Sequence, residues 1–489
     1  MEYWPLSCCF KPVEKKALFR AGSYTLSVVP MSEDKYQGYS GSVLDVLKRE
    51  GVSVWDRVKV NSPDGEVEGI ILPRSAGDKK HLVIKMFTGY NIGIRYDHID
   101  SIEGLGSRKA NYKIPEKEFP FDEGKPNVTI LGTGGTIASR LDYRTGAVIP
   151  AFTPGELFGA VPELADIANI KTNKLFGVFS ENMGPPQWKT LAENIKREIE
   201  EGVTGVAIGH GTDTMHYTAA TLSFMVQGSP VPIVCVGSQR SSDRPSSDAA
   251  RTLIGAVTTA AHSDAAEVMV SMYGTTSDKY CFLHRGTRVR KMHSSYRNTF
   301  KTLGDIPIGK VEEGKFTYFR DDFARRRDDR QVNVYPHFEE KVAMLYYYPN
   351  MHPDILESMI DNGYKGIIIA GTGLGHVNKP LYDPLQRAHE EGIHLFMSVQ
   401  TLYGYTQMFV YDTGRDLMAR GVIPLGNMLP EVAYCKLGWV LGQVQEPEAV
   451  KEMMLTPIAG EITPREPYNG FVQGQGGIDA VEDFLQEFS

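Results

Sequence analysis

Short, uninterrupted apolar runs that stop at glycine- and hydroxyl-rich turns constrain this chain more than any other feature. Runs at 128–131, 205–208 and 232–236 lead into GTGGT, GHGTDT and GSQRSSDRPSSD, and a fourth lies at 268–272. A strand with one wet face alternates apolar and polar residues, whereas a continuous run needs cover on both faces. Helical stretches at 187–201 and 247–261 fall between the runs and can provide it. The pattern predicts an α/β fold with a mainly parallel sheet and helices on each side. Such sheets bind ligands beyond the carboxyl ends of their strands, where these turns fall.

The turn in ILGTGGTIAS invites a nucleotide reading first. A dinucleotide fingerprint needs a third glycine where Ile137 stands, and a phosphate loop of the Walker type needs a GK[ST] ending that this stretch lacks. The remaining use is chemical: the hydroxyl of Thr136 sits among backbone N–H donors able to hold an anionic or carbonyl group. A second hydroxyl cluster, Thr212-Asp213-Thr214, follows the strand at 205–208. Alone, it reads as a cap on the helix that begins near Met215, but paired with Thr136 at another strand end it reads as part of a site. Threonine is a poor nucleophile until a base activates it, and the candidates are Asp213, a lysine held in low dielectric, or a tyrosine on a loop. Lys291, in HRGTRVRKMHSS, is one such lysine, although the plain expectation for a lysine in a basic run is solvent exposure. Cys281, His284 and His293 do not match a standard zinc spacing, so no metal is expected. His210 and His216 read as packing or capping groups, and Trp188 and Trp439 as core residues.

The formal charge of -8 offers no global field for nucleic acid, and DNA binding is not expected. Five scattered cysteines without a CxxC pair indicate a reducing, cytoplasmic setting. No run reaches the roughly 18 apolar residues of a membrane span. The stretch 1–30 reads as an amino-terminal extension, with Met31 as an alternative start. Residues 31–105 carry short strand-like segments (GSVLDVL, DRVKV, GEVEGIILP, HLVIKMF, NIGIRYDHIDSIE) and predict a small SH3-like β-barrel module. A polar, proline-dotted linker follows at 106–126. The main α/β domain is placed at 127–335 and a second at 336–455, with strands at 341–347 and 366–370; 456–489 reads as a tail. The charge run at 310–331 is a solvated hairpin or linker, or else a surface for a partner or tRNA phosphates.

The runs ILGTGGTIA, GHGTDTMHYTA and IIIAGTGLGH resemble the signature segments of the bacterial-type L-asparaginase family, in the same order. Together with the barrel-like module, GYNIGI, FSENM, RKMHSSYRNTF and AGEITPRE make the chain similar to one branch, the GatD family of archaeal glutamyl-tRNA(Gln) amidotransferases. The resemblance implies an asparaginase-like two-domain parallel-sheet core behind an SH3-like module. It implies catalytic roles for Thr136, Thr212, Asp213 and Lys291, with Tyr143 as a lid residue supporting Thr136. The attacking hydroxyl is expected to be that of Thr136, with Thr212 as the alternative. Ser180 and Glu181, in FSENM, are implied to hold the substrate's α-carboxylate and α-amino group, and Glu181 in place of the asparaginases' glutamine favours glutamine over asparagine. The implied activity is glutamine hydrolysis, with ammonia passed to a partner protein, GatE, that amidates Glu-tRNA(Gln). No cofactor is expected on this chain, since ATP and Mg²⁺ act through the partner, which also makes most of the tRNA contact. A homodimer within a heterotetramer is implied. The competing reading is a stand-alone asparaginase or glutaminase.

Overall fold

A computed structural model describes residues 35–72, 79–107, 120–134, 139–141, 148–150, 161–240 and 246–467, except Gln37 and Gly89. The chain separates into two compact units, Met1–Arg108 and Lys109–Ser489.

In the first unit, helix α1 (Ser42–Arg49) precedes β1 (Asp56–Ser62), β2 (Gly65–Ile71), β3 (His81–Met86), β4 (Asn91–Arg95) and β5 (Ser101–Ser107). The antiparallel order is β4-β3-β2-β1-β5, so the last strand returns beside the first. The small β module is therefore present, although among the described residues β4 and β5 do not pair to close it. The segment GSVLDVL is helix rather than strand. Val43, Val46 and Leu47 all point inward, and that i, i+3, i+4 spacing matches a helical face, not the alternation of a strand.

The second unit holds the α/β architecture. Its main sheet contains β6 (Asn127–Gly132), β7 (Asn169–Lys174), β8 (Gly205–Gly209), β9 (Ile233–Val236) and β10 (Val268–Tyr273). β11 (Cys281–Arg285), β14 (Gly309–Glu312) and β15 (Lys315–Tyr318) extend that sheet; β12 (Val289–Lys291) and β13 (Phe300–Thr302) pair separately. The order is β15-β14-β11-β10-β9-β8-β6-β7. The ladders from β7 to β10 are parallel, and those of β11, β14 and β15 are antiparallel. The antiparallel extension departs from a purely parallel expectation for a simple reason. Only 274–280 joins β10 to β11, too short for the dozen or so residues a parallel crossover needs.

Successive strand residues enter opposite cores. Leu131, Ile208, Cys235 and Val270 pack with helices α2 (Pro185–Glu200) and α3 (Met215–Met225); Ile130, Ala207, Val234 and Met269 pack with α4 (Ala249–His262). β6 is flanked by β7 on one side and β8 on the other, so the winding direction reverses between β6 and β8. The crevice at their carboxyl ends is where such sheets place ligands.

The second α/β layer has the parallel order β16 (Val342–Tyr346), β17 (Gly366–Gly371), β18 (His394–Val399), β19 (Val422–Pro424), with helix α5 (Pro430–Gln443) against α3. Residues 456–467, expected as tail, are fastened against the core, with Glu461 buried. Thr287 donates to Ala459 O at 2.7 Å, and the buried Arg288 donates to Gly460 O, Asn427 O and Thr463 Oγ1 at 3.1, 2.9 and 3.1 Å. Lys436 and Glu461 form an ion pair at 2.5 Å with both side chains fully buried. The charge run at 310–331 forms the hairpin of β14 and β15 with most of its residues exposed, anchored by the buried Phe323 and by Arg326, which donates to the carbonyls of Thr204, Ser263 and Ala260. Among the described residues, no helix is long and apolar enough to cross a membrane.

Candidate active site

Three loops meet over the carboxyl ends of β6 and β8. After β6, Thr133 gives both its N–H and its hydroxyl to Gly209 O, at 3.1 and 3.0 Å. Gly134 follows with φ +120°, and a Cβ there would stand 2.3 Å from Val178 O, so only glycine lets the two backbones touch. Val178 in turn donates to Thr133 O. These contacts bring the segment carrying Ser180 and Glu181 against the first turn. Its other side rests on the loop after β8: Thr214 donates to Ser180 O at 2.6 Å, and Gly211 lies so close to Ser180 that a Cβ would approach its Cβ to 2.8 Å. Ser180 is buried and Glu181 exposed.

The chemistry concentrates on the loop after β8. Lys291, the last residue of β12, donates from Nζ to Thr212 Oγ1 at 2.9 Å and to Asp213 Oδ1 at 2.6 Å. Its side chain is 8% exposed against 71% for Asp213, so one end of this ion pair is enclosed and the other meets solvent. Solvent exposure, the plain expectation for Lys291, does not hold. β12 is only three residues long but pairs with β13, Lys291 opposite Phe300, which turns the side chain inward. The lysine nitrogen lies within hydrogen-bond reach of a hydroxyl and a carboxylate, a geometry that lets it hold or exchange the threonine proton.

Nearby histidines stay neutral. Burial pushes His210 down to about 4, and burial reinforced by the Arg290 charge pushes His216 down to about 3. Neither serves as a base at neutral pH, which leaves Lys291 and Asp213 as the charged groups touching Thr212. His284 pairs through Nδ1 with Thr302 Oγ1 at 2.8 Å, and His293 Nδ1 accepts from the backbone of Ser295 and Tyr296. Those roles are structural. Trp439 is core as expected, stacked on Phe224 and donating to Tyr335 O.

The structure therefore brings together Thr212, Asp213, Lys291 and Ser180, with Glu181 at the rim; Thr136 and Tyr143 lie outside the described residues. Reading the sequence missed Thr133 and Gly134 as the hinge between loops. It also missed Arg290, whose Nη1 reaches the buried Glu431 of α5 at 2.6 Å and ties the strand carrying Lys291 to the second layer. The signal for Gly134 was available, since adjacent glycines at a strand end mark a close backbone approach.

The fold that carries these residues is that of asparaginase-type proteins. Residues 127–324 match the family of asparaginase N-terminal domains, and 341–454 the glutaminase/asparaginase C-terminal domain. The thermostable L-asparaginase from Thermococcus kodakarensis superimposes with a TM-score of 0.61 at 29% identity, covering 69% of this chain and 99% of that one. Residues 52–105 match a third family, the GatD N-terminal domain. The GatD-type glutamyl-tRNA(Gln) amidotransferase subunit of Thermococcus kodakarensis is 51% identical over 88% of this chain and 99% of its own length. That of Pyrococcus furiosus is 50% identical over 88% and 99%. The chain belongs to the GatD family of glutamyl-tRNA(Gln) amidotransferase subunits.

Proposed function

We propose that this chain is the glutamine-hydrolysing subunit of an archaeal-type glutamyl-tRNA(Gln) amidotransferase. The observation that carries the reading is the enclosed Lys291 bonded to both Thr212 and Asp213 at the winding reversal, in a chain half identical to GatD proteins. In this reading the hydroxyl of Thr136 attacks the side-chain amide carbon of glutamine, forming a C–O bond. Backbone N–H groups of the glycine turns stabilise the oxyanion. The C–N bond then breaks as Lys291, through Thr212, delivers a proton to the departing ammonia, and the proton that Thr136 gives up on attack restores Lys291. Water hydrolyses the acyl-threonine to release glutamate and restore the hydroxyl. Ser180 and Glu181 hold the α-carboxylate and α-amino group, and Tyr143 supports Thr136.

The ATP- and Mg²⁺-dependent activation of Glu-tRNA(Gln) belongs, in this proposal, to the partner GatE. The described part of the first glycine turn supports that assignment, because Thr133 N–H is engaged by Gly209 O and not directed at a phosphate. The partner carries most of the tRNA contact, and the chain works as a homodimer within a heterotetramer in the cytoplasm. The buried, unpaired thiols of Cys235, Cys281 and Cys435 accord with a reducing compartment.

The test is ammonia release from glutamine and from asparagine, by the chain alone and with GatE, ATP and Glu-tRNA(Gln). Glutamine hydrolysis that rises with the partner and charged tRNA is the expected result. Vigorous asparagine hydrolysis by the chain alone overturns the proposal in favour of a stand-alone hydrolase.

A further inference from the structure

Three buried side chains behind the Thr212 loop form a chain of hydrogen bonds with a single allowed direction. Trp188 Nε1 lies 2.9 Å from Thr218 Oγ1, Thr218 Oγ1 lies 2.9 Å from His210 Nε2, and His210 Nδ1 lies 2.6 Å from Gly211 O. Thr218 and His210 are fully buried and Trp188 nearly so. An indole N–H only donates and a carbonyl oxygen only accepts. The single proton of a neutral imidazole must therefore sit on Nδ1, facing Gly211 O. Nε2 is then an acceptor, so the Thr218 hydroxyl donates to it while accepting from Trp188. Burial keeps the ring neutral, since His210 is held down to about 4.

The output of this chain is the Gly211 carbonyl. In a trans peptide the carbonyl and the following N–H point in opposite directions, and the chain has no cis bonds here. Holding Gly211 O against His210 turns the Thr212 N–H away from the ring. Among the described residues no backbone–backbone hydrogen bond uses that N–H. The two neighbouring glycines leave the peptide little room: a Cβ on Gly211 would strike Ser180, and one on Gly237 would come within 2.6 Å of Thr212 Cγ2.

We infer that Trp188, Thr218 and His210 are positioning residues whose one-way hydrogen-bond chain fixes the Gly211–Thr212 peptide and aims the Thr212 N–H at the substrate's reacting carbonyl. The inference rests on the reading of Thr212, Asp213 and Lys291 as the amide-hydrolysing group. None of the three residues touches substrate; they set the direction of a donor that does, and a misdirected donor lowers the rate of the chemical step more than binding.

Two measurements on the full-length chain decide it. With ¹⁵N-labelled histidine, His210 at neutral pH should show a protonated Nδ1 and an unprotonated Nε2; the opposite tautomer overturns the inference whatever the activity. The second measurement is glutamine hydrolysis by Thr218→Val, which keeps the shape and deletes the hydroxyl. Its kcat should fall about tenfold with KM changed less than about twofold, the signature of lost transition-state alignment. His210→Asn keeps a donor near the Nδ1 position and should retain activity within about threefold, whereas His210→Ala should not. Should Thr218→Val lose its fold, Trp188→Phe, which deletes the N–H together with the pyrrole ring, takes its place, its effect read beside a thermal melt. Unchanged kcat in the folded variant overturns the inference. Absence of glutamine hydrolysis by the unaltered chain with GatE, ATP and Glu-tRNA(Gln) overturns the functional reading instead, and the tautomer measurement still judges the geometry.

Discussion

Replacing Lys291 with methionine separates chemistry from stability. Methionine retains most of the apolar stem that fills the enclosed space, so little packing is lost. The remaining carboxylate, Asp213, is 71% exposed and is solvated by water once its partner is gone. An ion pair with one end so exposed is worth less than about 1 kcal/mol to folding. On the proposed role of Lys291 catalysis should lose far more, because Nζ is the group placed 2.9 Å from Thr212 Oγ1 and 2.6 Å from Asp213. A positioned proton-transfer group contributes about 10²- to 10⁴-fold in rate, or roughly 3–5 kcal/mol of barrier. Lys291→Met should therefore keep its melting temperature within about two degrees while kcat for ammonia release falls at least about a hundredfold. Lys291→Arg should not restore activity, since a guanidinium holds its protons too tightly to deliver one. Steady-state ammonia assays beside thermal melts read both quantities. A kcat within about tenfold of the unaltered chain refutes the role of Lys291, and a large fall in melting temperature refutes the claim that the pair is structurally cheap.

Gly134→Ala places a Cβ about 2.3 Å from Val178 O at a positive φ, so it should part the first two loops and abolish glutamine hydrolysis; near-normal activity contradicts the assigned contact. Glu461→Gln leaves the buried Lys436 ammonium without its counter-charge and should destabilise the second unit by about 3–5 kcal/mol, read from urea midpoints; a loss below about 1 kcal/mol is the failing result. His210, His216 and His284 are held by burial down to about 4, 3 and 3, below the ordinary 6.5. Unfolded chains bind protons there that the folded state refuses, so stability is full above about pH 6.5 and declines as pH falls towards about 4. The combined slope near pH 5 is about 4 kcal/mol per pH unit, and His284→Gln should remove about a third of it; equal urea midpoints at pH 7 and pH 5 refute the assignment.

What could be read from the sequence was what depends on local pattern. Continuous apolar runs announced covered strands, and the hydroxyl cluster after 205–208 announced the loop that Lys291 meets, because both signals lie within a few residues. The segment GSVLDVL misled because Val43, Val46 and Leu47 also fit a short strand-like run, and only packing decides the period. Lys291 was legible as a motif member but not as an enclosed one, since its direction comes from pairing with Phe300 and its partners lie 78 and 79 positions away. Residues 456–467 looked like a tail because their partners, Arg288 and Lys436, are distant in the chain. The Trp188–Thr218–His210 chain joins residues on a strand end and two helices, and no single window of sequence contains it.

The clamp on Arg288 also sets a clock. The strand that ends in Lys291 is held by acceptors at Ala459, Gly460 and Thr463, which lie 172 to 175 positions beyond their donors. At about 5–20 residues per second, a ribosome takes roughly ten to thirty seconds to travel that distance. During this interval a growing chain can already fold β6 to β13, yet the Thr287 hydroxyl and the Arg288 guanidinium still wait for these acceptors. The approach to the strand of Lys291 is thus locked late in synthesis, when the polypeptide that closes the clamp has cleared the exit tunnel.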